Sequence, residues 1–475
     1  MVFSSLTFLC VFLPAVFALY CVLPGLKAKN ILLIAASLLF YAYGEPVYVL
    51  LMIASSLGNY LFALMIGGSE KKAVKKAAVI CAVLLDLGVL GVFKYAGFAV
   101  ESLNSVTGLG LAVPSITLPI GISFFTFQAL SYVIDVYRGD VPAEKSFLNI
   151  LLYISFFPQL IAGPIVKFHD INEALSDRKQ TVPDVEAGLR RFICGLGKKV
   201  IIANVMGQTA DAVFGAGQDL LNAPLGWLGA VTYMLQIYYD FSGYSDMAIG
   251  LGRMFGFSFK ENFNYPYSAV NVQDFWRRWH ISMSTWFKEY LYIPLGGNRR
   301  GKARTAVNKI IVFFCTGLWH GANWTFVVWG LYHGFFLLLE NYVPAVKKLP
   351  KVVGKIYTWA VVCLGFVFFR ADTLSQGIRF IGKMFTGFSF GAESSALLLR
   401  QLTPWFILIF AAAALGTGAL QKPVNKVRAL VNGEGTDRTA AVVRCTVNAL
   451  SLVLLIWCVM RLSAQGYNPF IYFRF

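Results

Sequence analysis

The sequence predicts an all-α polytopic membrane protein, and three observations carry that reading. Of 475 residues, 57% are apolar and only 14% charged, whereas soluble domains carry about 25% charged residues. The apolar residues gather into runs of about 20, the length that crosses a bilayer's hydrocarbon core. The bases, 41 against 24 acids for a net charge of +17, stand in short clusters between those runs, as in cytoplasmic loops. The same composition excludes intrinsic disorder. Bases spread in this way point to topology and not to nucleic acid.

The first apolar stretch, from Val2 to Leu26, has no base before Lys27 and reads as a span, not a removed signal. Runs at 5–24, 46–67, 77–99, 116–137, 226–252, 402–421 and 439–462 are long enough to cross. Shorter ones at 30–44, 147–162, 188–206 and 356–370 are expected to be tilted, shielded or partial. Together they predict about 10–12 membrane-embedded helices. Lys27 and Lys29, then Lys71, Lys72, Lys75 and Lys76, fall inside when two spans separate them. The base-free loop 100–115 then falls outside, and so does the N-terminus. The order of crossing over 146–276 stays open, because three apolar segments separate two loops that both read as cytoplasmic.

The eight cysteines stand one at a time, without metal-ligand or disulfide spacing, and are expected as small buried core residues. No internal repeat is visible, which weighs against a repeat-built transporter or channel. No GxSxG, HExxH, P-loop or GxGxxG motif stands in a strand–helix context.

Residues 271–297, NVQDFWRRWHISMSTWFKEYLYIPLGG, are too polar to cross alone and predict an interfacial or re-entrant helix. On one helix, Trp276, Trp279, Met283, Trp286, Phe287 and Tyr290 share an arc of about 100°, with His280 at its edge. A packed core histidine is the alternative reading of His280. The densest base cluster follows, Arg299, Arg300, Lys302 and Arg304. It either sets topology alone or attracts an anionic cytosolic ligand.

His320 lies 16 residues beyond Arg304, roughly 24 Å along a helix. Gly321 is expected to end that helix and Asn323 to cap the next. A histidine at such a break inside the membrane is a functional candidate, with a polar tie between helices as the alternative. His333, 13 residues later, is expected off that face as a packing or interfacial residue. In 238–257, Asp240, Ser242, Tyr244, Ser245 and Asp246 sit within an apolar span, where polar groups line a cavity or bond between helices. Gly163-Pro164 marks an interrupted helix.

Several stretches then resemble one family: GPIVKFHD (163–170), YYDFSGYSDMAIGLGRMFG (238–256), NFNYPY (262–267), DFWRRWHISMSTWFKEYLYIPLGGNR (274–299) and GLWHGANWTFVVWGLYHG (317–334). They resemble the membrane-bound O-acyltransferase family, in its bacterial branch of alginate and peptidoglycan O-acetylation and teichoic-acid D-alanylation proteins. FVFFRA (366–371) and the terminal FIYFRF (470–475) fit that branch. The likeness covers about 120–370 and the very end, within one integral-membrane domain, 1–475. Residues 1–115 and 400–475 then supply peripheral helices.

The resemblance implies a multi-helix bundle with a central tunnel and a bacterial plasma-membrane, multi-pass location. His320 takes the place of the family's catalytic histidine, and His280 that of its second polar residue. Arg277, Arg278, Arg299 and Arg300 become candidate donor contacts. Asp240, Tyr244, Asp246, Trp276, Trp319 and Asn323 become candidate tunnel-lining residues. No tightly bound cofactor and no metal is expected. Acetyl-CoA is the expected acyl-thioester donor, with an acylated carrier protein and D-alanyl transfer as the alternative. An extracytoplasmic SGNH-type acyltransferase or a small membrane protein is the expected partner, besides the bilayer. A membrane transporter or channel for acyl groups is the rival from another class.

Overall fold

The computed structural model describes residues 1–217, 219–432, 438–464 and 466–471. Among them every regular element is helical. The last four residues of the FIYFRF stretch lie outside the described residues. Four described helices are long and apolar enough to cross a membrane: Tyr48–Gly68, Lys72–Thr107, Lys351–Arg370 and Arg438–Ala464. A bent pair, Ala392–Gln401 and Pro404–Gly416, passes only as a broken span, with 66° between its halves. Its break falls at Leu402-Thr403, where Pro404 starts the second half. The chain divides into two compact units, Met1–Phe192 with Ser245–Lys260 and Ile193–Tyr244 with Glu261–Phe475.

The first unit centres on Phe8, Phe12, Phe40 and Phe157, whose buried rings lie 5.5–5.9 Å apart in the Phe8–Phe40, Phe12–Phe157 and Phe40–Phe157 pairs. The span expected over 77–99 runs on through a π-helical turn, Gly91–Tyr95, to Thr107. Gly108, at φ 68°, stops it there, in the left-handed region that suits glycine. The next helix begins only at Ile122, because Gly121 enters it at φ 77°. The 147–162 run breaks at Phe156 into Phe147–Ser155 and Phe157–Leu160. Ser37 Oγ accepts the amide of Phe157 at that break, at 3.1 Å. Arg178 ties the unit together, donating to Tyr20 Oη, the Phe255 carbonyl and Asn30 Oδ1.

The expectation of buried cysteines fails at Cys10, Cys21, Cys81, Cys194 and Cys445, which are exposed on the protein. The reason is general to this chain. Its outer helices present apolar side chains outward, such as Leu450, Val453 and Met460 at 62–64% exposure, so apolar character does not imply burial in protein.

The second unit carries the antiparallel pair Gly301–His320 and Trp324–Tyr342. Tyr342 Oη donates to the Lys302 carbonyl at 2.8 Å, which levels the end of the second helix with the start of the first, and Asn323 Nδ2 donates to the Asp372 carbonyl, just beyond Lys351–Arg370, at 3.0 Å. The two helices cross closely where both are glycine. A Cβ on Gly330 would meet the Phe313 carbonyl oxygen, and one on Gly317 that of Phe326. Gly330→Ala is therefore expected to cost about 1–3 kcal/mol by overpacking. Gly382→Ala meets no atom within 4 Å and is the matched control. The thermal unfolding midpoints of the two purified variants check this.

Candidate active site

His320 is the last residue of its helix, and Gly321 continues in extended conformation at φ −172°. Asn323 then caps the next helix, its Oδ1 accepting the Thr325 amide at 3.0 Å. The expected break is present at both positions. Gly321 is there for space: a Cβ would run into the Phe326 ring. The His320 ring, in a residue 5% exposed, stands edge-on to Trp319, Trp329 and Phe369, with centroids 5.0, 5.0 and 5.1 Å away.

The single helix expected over 271–297 is corrected. Two seven-residue helices, Val272–Arg278 and Ile281–Phe287, are separated at Trp279-His280, and His280 adopts φ 43°. Asn262, 18 residues upstream, makes the break possible. Its Oδ1 accepts the Ser282 amide and hydroxyl at 3.1 and 2.9 Å and lies 3.3 Å from His280 Nδ1. Asn271 and Glu340 hold the start of the first helix. Asn271 Oδ1 accepts the Asp274 amide, and the Glu340 carboxylate accepts the amides of Val272 and Gln273.

His280 is fully buried, against Phe241 at 4.7 Å and Trp319 at 5.7 Å between ring centroids. Trp319 thus touches both candidate histidines. Neither seven-residue helix spans a bilayer, and burial pushes the His280 pKa down to about 3. An unfolded histidine takes up a proton below about pH 6.5. The folded state therefore keeps its His280 contribution above pH 6.5 and loses it as pH falls toward 3.

Asparagine tolerates positive φ, while β-branched residues do not. His280→Val is expected to cost about 1–2 kcal/mol. His280→Asn should hold the fold and flatten the acid-side loss. Thermal midpoints of both variants between pH 4 and 8 check this.

His333 belongs to the same cluster. The angular offset from His320 does not apply, because Gly321–Asn323 interrupts the helix between them. The ring of His333 lies 5.1 Å from that of Trp329 and 5.2 Å from that of Trp276, fully buried. Neither its nitrogens nor the indole N–H groups of Trp276 and Trp329 make a hydrogen bond among the described residues. A row of rings therefore runs from Trp276 through His333 and Trp329 to His320, and on through Trp319 to His280.

Trp276 also lines a cavity of about 240 Å³, with Phe287, Phe313 and the cations Arg277, Lys288 and Lys309. Of the candidate donor contacts, Arg277 reaches this cavity. Arg278 is paired with Asp274 at 2.9 Å, and Arg299 and Arg300 are exposed in the turn before Gly301. Lys288 and Lys309 were not singled out in the sequence. Lys309, a lone base entering the apolar run IIVFF, was the readable signal.

The two acids of the polar group at 240–246 are paired, while the buried hydroxyls of Ser242 and Ser245 make no hydrogen bond among the described residues. Asp240 pairs with Lys199 at 2.9 Å, and Tyr244 stacks on Phe470. Asp246 lies in the first unit, paired with Arg191 at 2.9 Å.

Among the described residues the chain is helical and apolar, with buried histidines at two helix breaks. The membrane-bound O-acyltransferase family model matches residues 142–370. A relative from Pseudomonas putida named "Probable alginate O-acetylase AlgI" is 41% identical, covering 100% of both chains. The peptidoglycan O-acetyltransferase of Helicobacter pylori is 37% identical over 81% of this chain and 80% of its own. The teichoic acid D-alanyltransferase of Bacillus subtilis is 28% identical over 53% of this chain and 68% of its own. The chain belongs to the membrane-bound O-acyltransferase family.

Proposed function

We propose that the protein moves an acetyl group from a cytosolic thioester donor to a hydroxyl acceptor on the extracytoplasmic side, for O-acetylation of an exported or cell-wall polysaccharide. It acts as a multi-pass protein of the bacterial plasma membrane. The observation that carries the reading is the row of rings leading from the cation-rimmed cavity at Trp276 to His320. Arg277 and Lys288, with Lys309, suit the phosphates of acetyl-CoA. The buried indole N–H groups of Trp276 and Trp329, unbonded among the described residues, suit a polar thioester arm, since such groups cost about 1–3 kcal/mol each when left unsatisfied.

At the far end, His320 takes the proton of the acceptor hydroxyl. The oxygen attacks the thioester carbonyl, and the C–S bond breaks to release the thiol. Trp319, Trp329 and Phe369 keep water from the same carbonyl. His280, across Trp319, orients the acyl group. The full-length identity to an alginate O-acetylase favours acetyl over D-alanyl, whose relative matches only 53% of the chain. Transfer to the polymer is completed by an extracytoplasmic SGNH-type acyltransferase or a small membrane partner.

The test is a thioester assay on purified protein, offering acetyl-CoA and a D-alanyl carrier protein side by side. Acetyl-CoA turnover is expected, with KM raised roughly tenfold or more by Arg277→Ala/Lys309→Ala. Turnover of the carrier protein alone would reverse the donor assignment.

A further inference from the structure

A second cavity, of about 320 Å³, lies in the same unit between the end of Asn204–Phe214, the turn after it, and Leu374–Thr386. That volume is within the range of small-molecule sites. Arg379 and Lys383, one turn apart on Leu374–Thr386, line it together with Asp219 and Gln376. Among the described residues these three charges form no ion pair, either with one another or with another side chain. The back wall is closed. Phe214 and Phe380 stack on each other at 4.2 Å, and Arg370, bonded to Asp211 at 2.7 Å, lies over the Phe214 ring at 5.1 Å. Recognition therefore falls to Arg379, Lys383 and Asp219, which are exposed.

The cavity's level in the membrane follows from the helix before it. Lys351–Arg370 is 20 residues long, about 30 Å, and starts among Lys347, Lys348, Lys351 and Lys355. The positive-inside rule puts that start in the cytoplasm. Leu374–Thr386 therefore begins at the outer edge of the hydrocarbon.

This helix has the form of an interfacial one. Phe380 and Met384 are buried against the protein. Ile378 and Phe385, 61% and 52% exposed, stand about 20° apart on another face, with Arg379 and Lys383 about 100–160° round from them. Phe388 and Phe390, just beyond the helix, are exposed as well, at 70% and 66%. Apolar side chains at this level suit acyl chains, and the bases above them suit lipid phosphates.

From these observations we infer that the cavity holds the zwitterionic phosphoethanolamine headgroup of an outer-leaflet lipid, whose chains cover Ile378, Phe385, Phe388 and Phe390. Charge complementarity selects it. Arg379 and Lys383 donate to the phosphodiester, Arg379 in bidentate fashion. Asp219 accepts from the ammonium, and the Gln376 amide oxygen takes a further N–H. A glycerol headgroup brings no cation to Asp219, and a choline headgroup has no N–H to give. Lipid binding here does not depend on the acyl-transfer reading.

In the test, full-length protein is stripped of lipid in a mild detergent. It is then offered equimolar phosphatidylethanolamine, phosphatidylglycerol and phosphatidylcholine of the same chains, and bound lipid is read by native mass spectrometry. Phosphatidylethanolamine is expected to be retained over the other two. Arg379→Ala/Lys383→Ala should weaken it roughly tenfold or more, and Lys383→Arg should retain it. Asp219→Asn should abolish the preference over phosphatidylglycerol while both lipids still bind. Thermal midpoints equal to wild type show that the variants are folded. If the double alanine variant is less stable, Arg379→Gln/Lys383→Gln gives the same reading. Equal retention of phosphatidylethanolamine by the double variant overturns the proposal. So does an unchanged preference in Asp219→Asn, or a wild-type preference for phosphatidylglycerol. Glycerophosphoethanolamine, the headgroup without its chains, should displace the lipid only in large excess. Displacement at equal concentration would assign the site to a soluble phosphate ester and overturn the lipid.

Discussion

His320→Ala is expected to lower acetyl transfer by about 10²–10⁴, the worth of a positioned general base, while leaving the fold intact. That loss corresponds to roughly 3–5.5 kcal/mol of barrier. His320 ends its helix, and the Asn323 cap and the space kept by Gly321 set the break without using the imidazole. Its neighbours Trp329 and Phe369 remain packed through Trp276–Trp329 and Trp329–Phe369 ring contacts, and Trp319 through its contact with His280. The substitution should therefore act on kcat and leave donor KM near wild type. His320→Gln, which keeps a hydrogen-bonding side chain but no titrating base, should be nearly as inactive. Transfer in proteoliposomes from acetyl-CoA, at matched thermal midpoints, is the measurement. Wild-type turnover by His320→Ala would remove it from the chemistry.

The sequence showed this histidine because its setting is local. Gly321 and Asn323 sit within three residues of it, and both act through their immediate backbone. The second break was hidden because its cause is remote. Nothing within the WRRWHISMS run announces a left-handed His280. It depends on Asn262 Oδ1 accepting from Ser282 across 20 residues.

Glu340 was hidden for the same reason, since it caps Val272–Arg278 from the end of another helix. All six members of the periodic arc, Trp276, Trp279, Met283, Trp286, Phe287 and Tyr290, are buried. Periodicity grouped them on one side, and tertiary bonding decided their burial and direction. Likewise Asp240 and Asp246 read alike in the sequence as polar groups in an apolar helix. Only their partners, Lys199 and Arg191, tell them apart.

Asp240→Ala is expected to destabilise the second unit by about 3–5 kcal/mol, the cost of breaking a buried ion pair from one side. Asp240 and Lys199 are 1% and 3% exposed and 2.9 Å apart. Asp240 Oδ2 also accepts the Ile471 amide at 2.9 Å, and Lys199 Nζ donates to the Pro469 carbonyl. Tyr467 Oη donates to Asp211 Oδ2 at 2.7 Å, and Phe470 stacks on Tyr244 at 4.8 Å. The pair thus fastens residues 467–471 against Asn204–Phe214 and the first part of Ala223–Met254. Removing the carboxylate leaves the ammonium buried without its counter-charge and frees the Ile471 amide. Lys199→Met together with Asp240→Leu removes both charges, and should recover most of the loss. It should not recover all of it, because the amide still lacks an acceptor, worth about 1–3 kcal/mol. Thermal midpoints of the two variants in one detergent give the first comparison. Carboxypeptidase digestion gives the second, with faster removal of the C-terminal residues in Asp240→Ala than in wild type. A double variant no more stable than Asp240→Ala would show that the hydrogen bonds to the tail, and not the buried charge, set the stability of this corner.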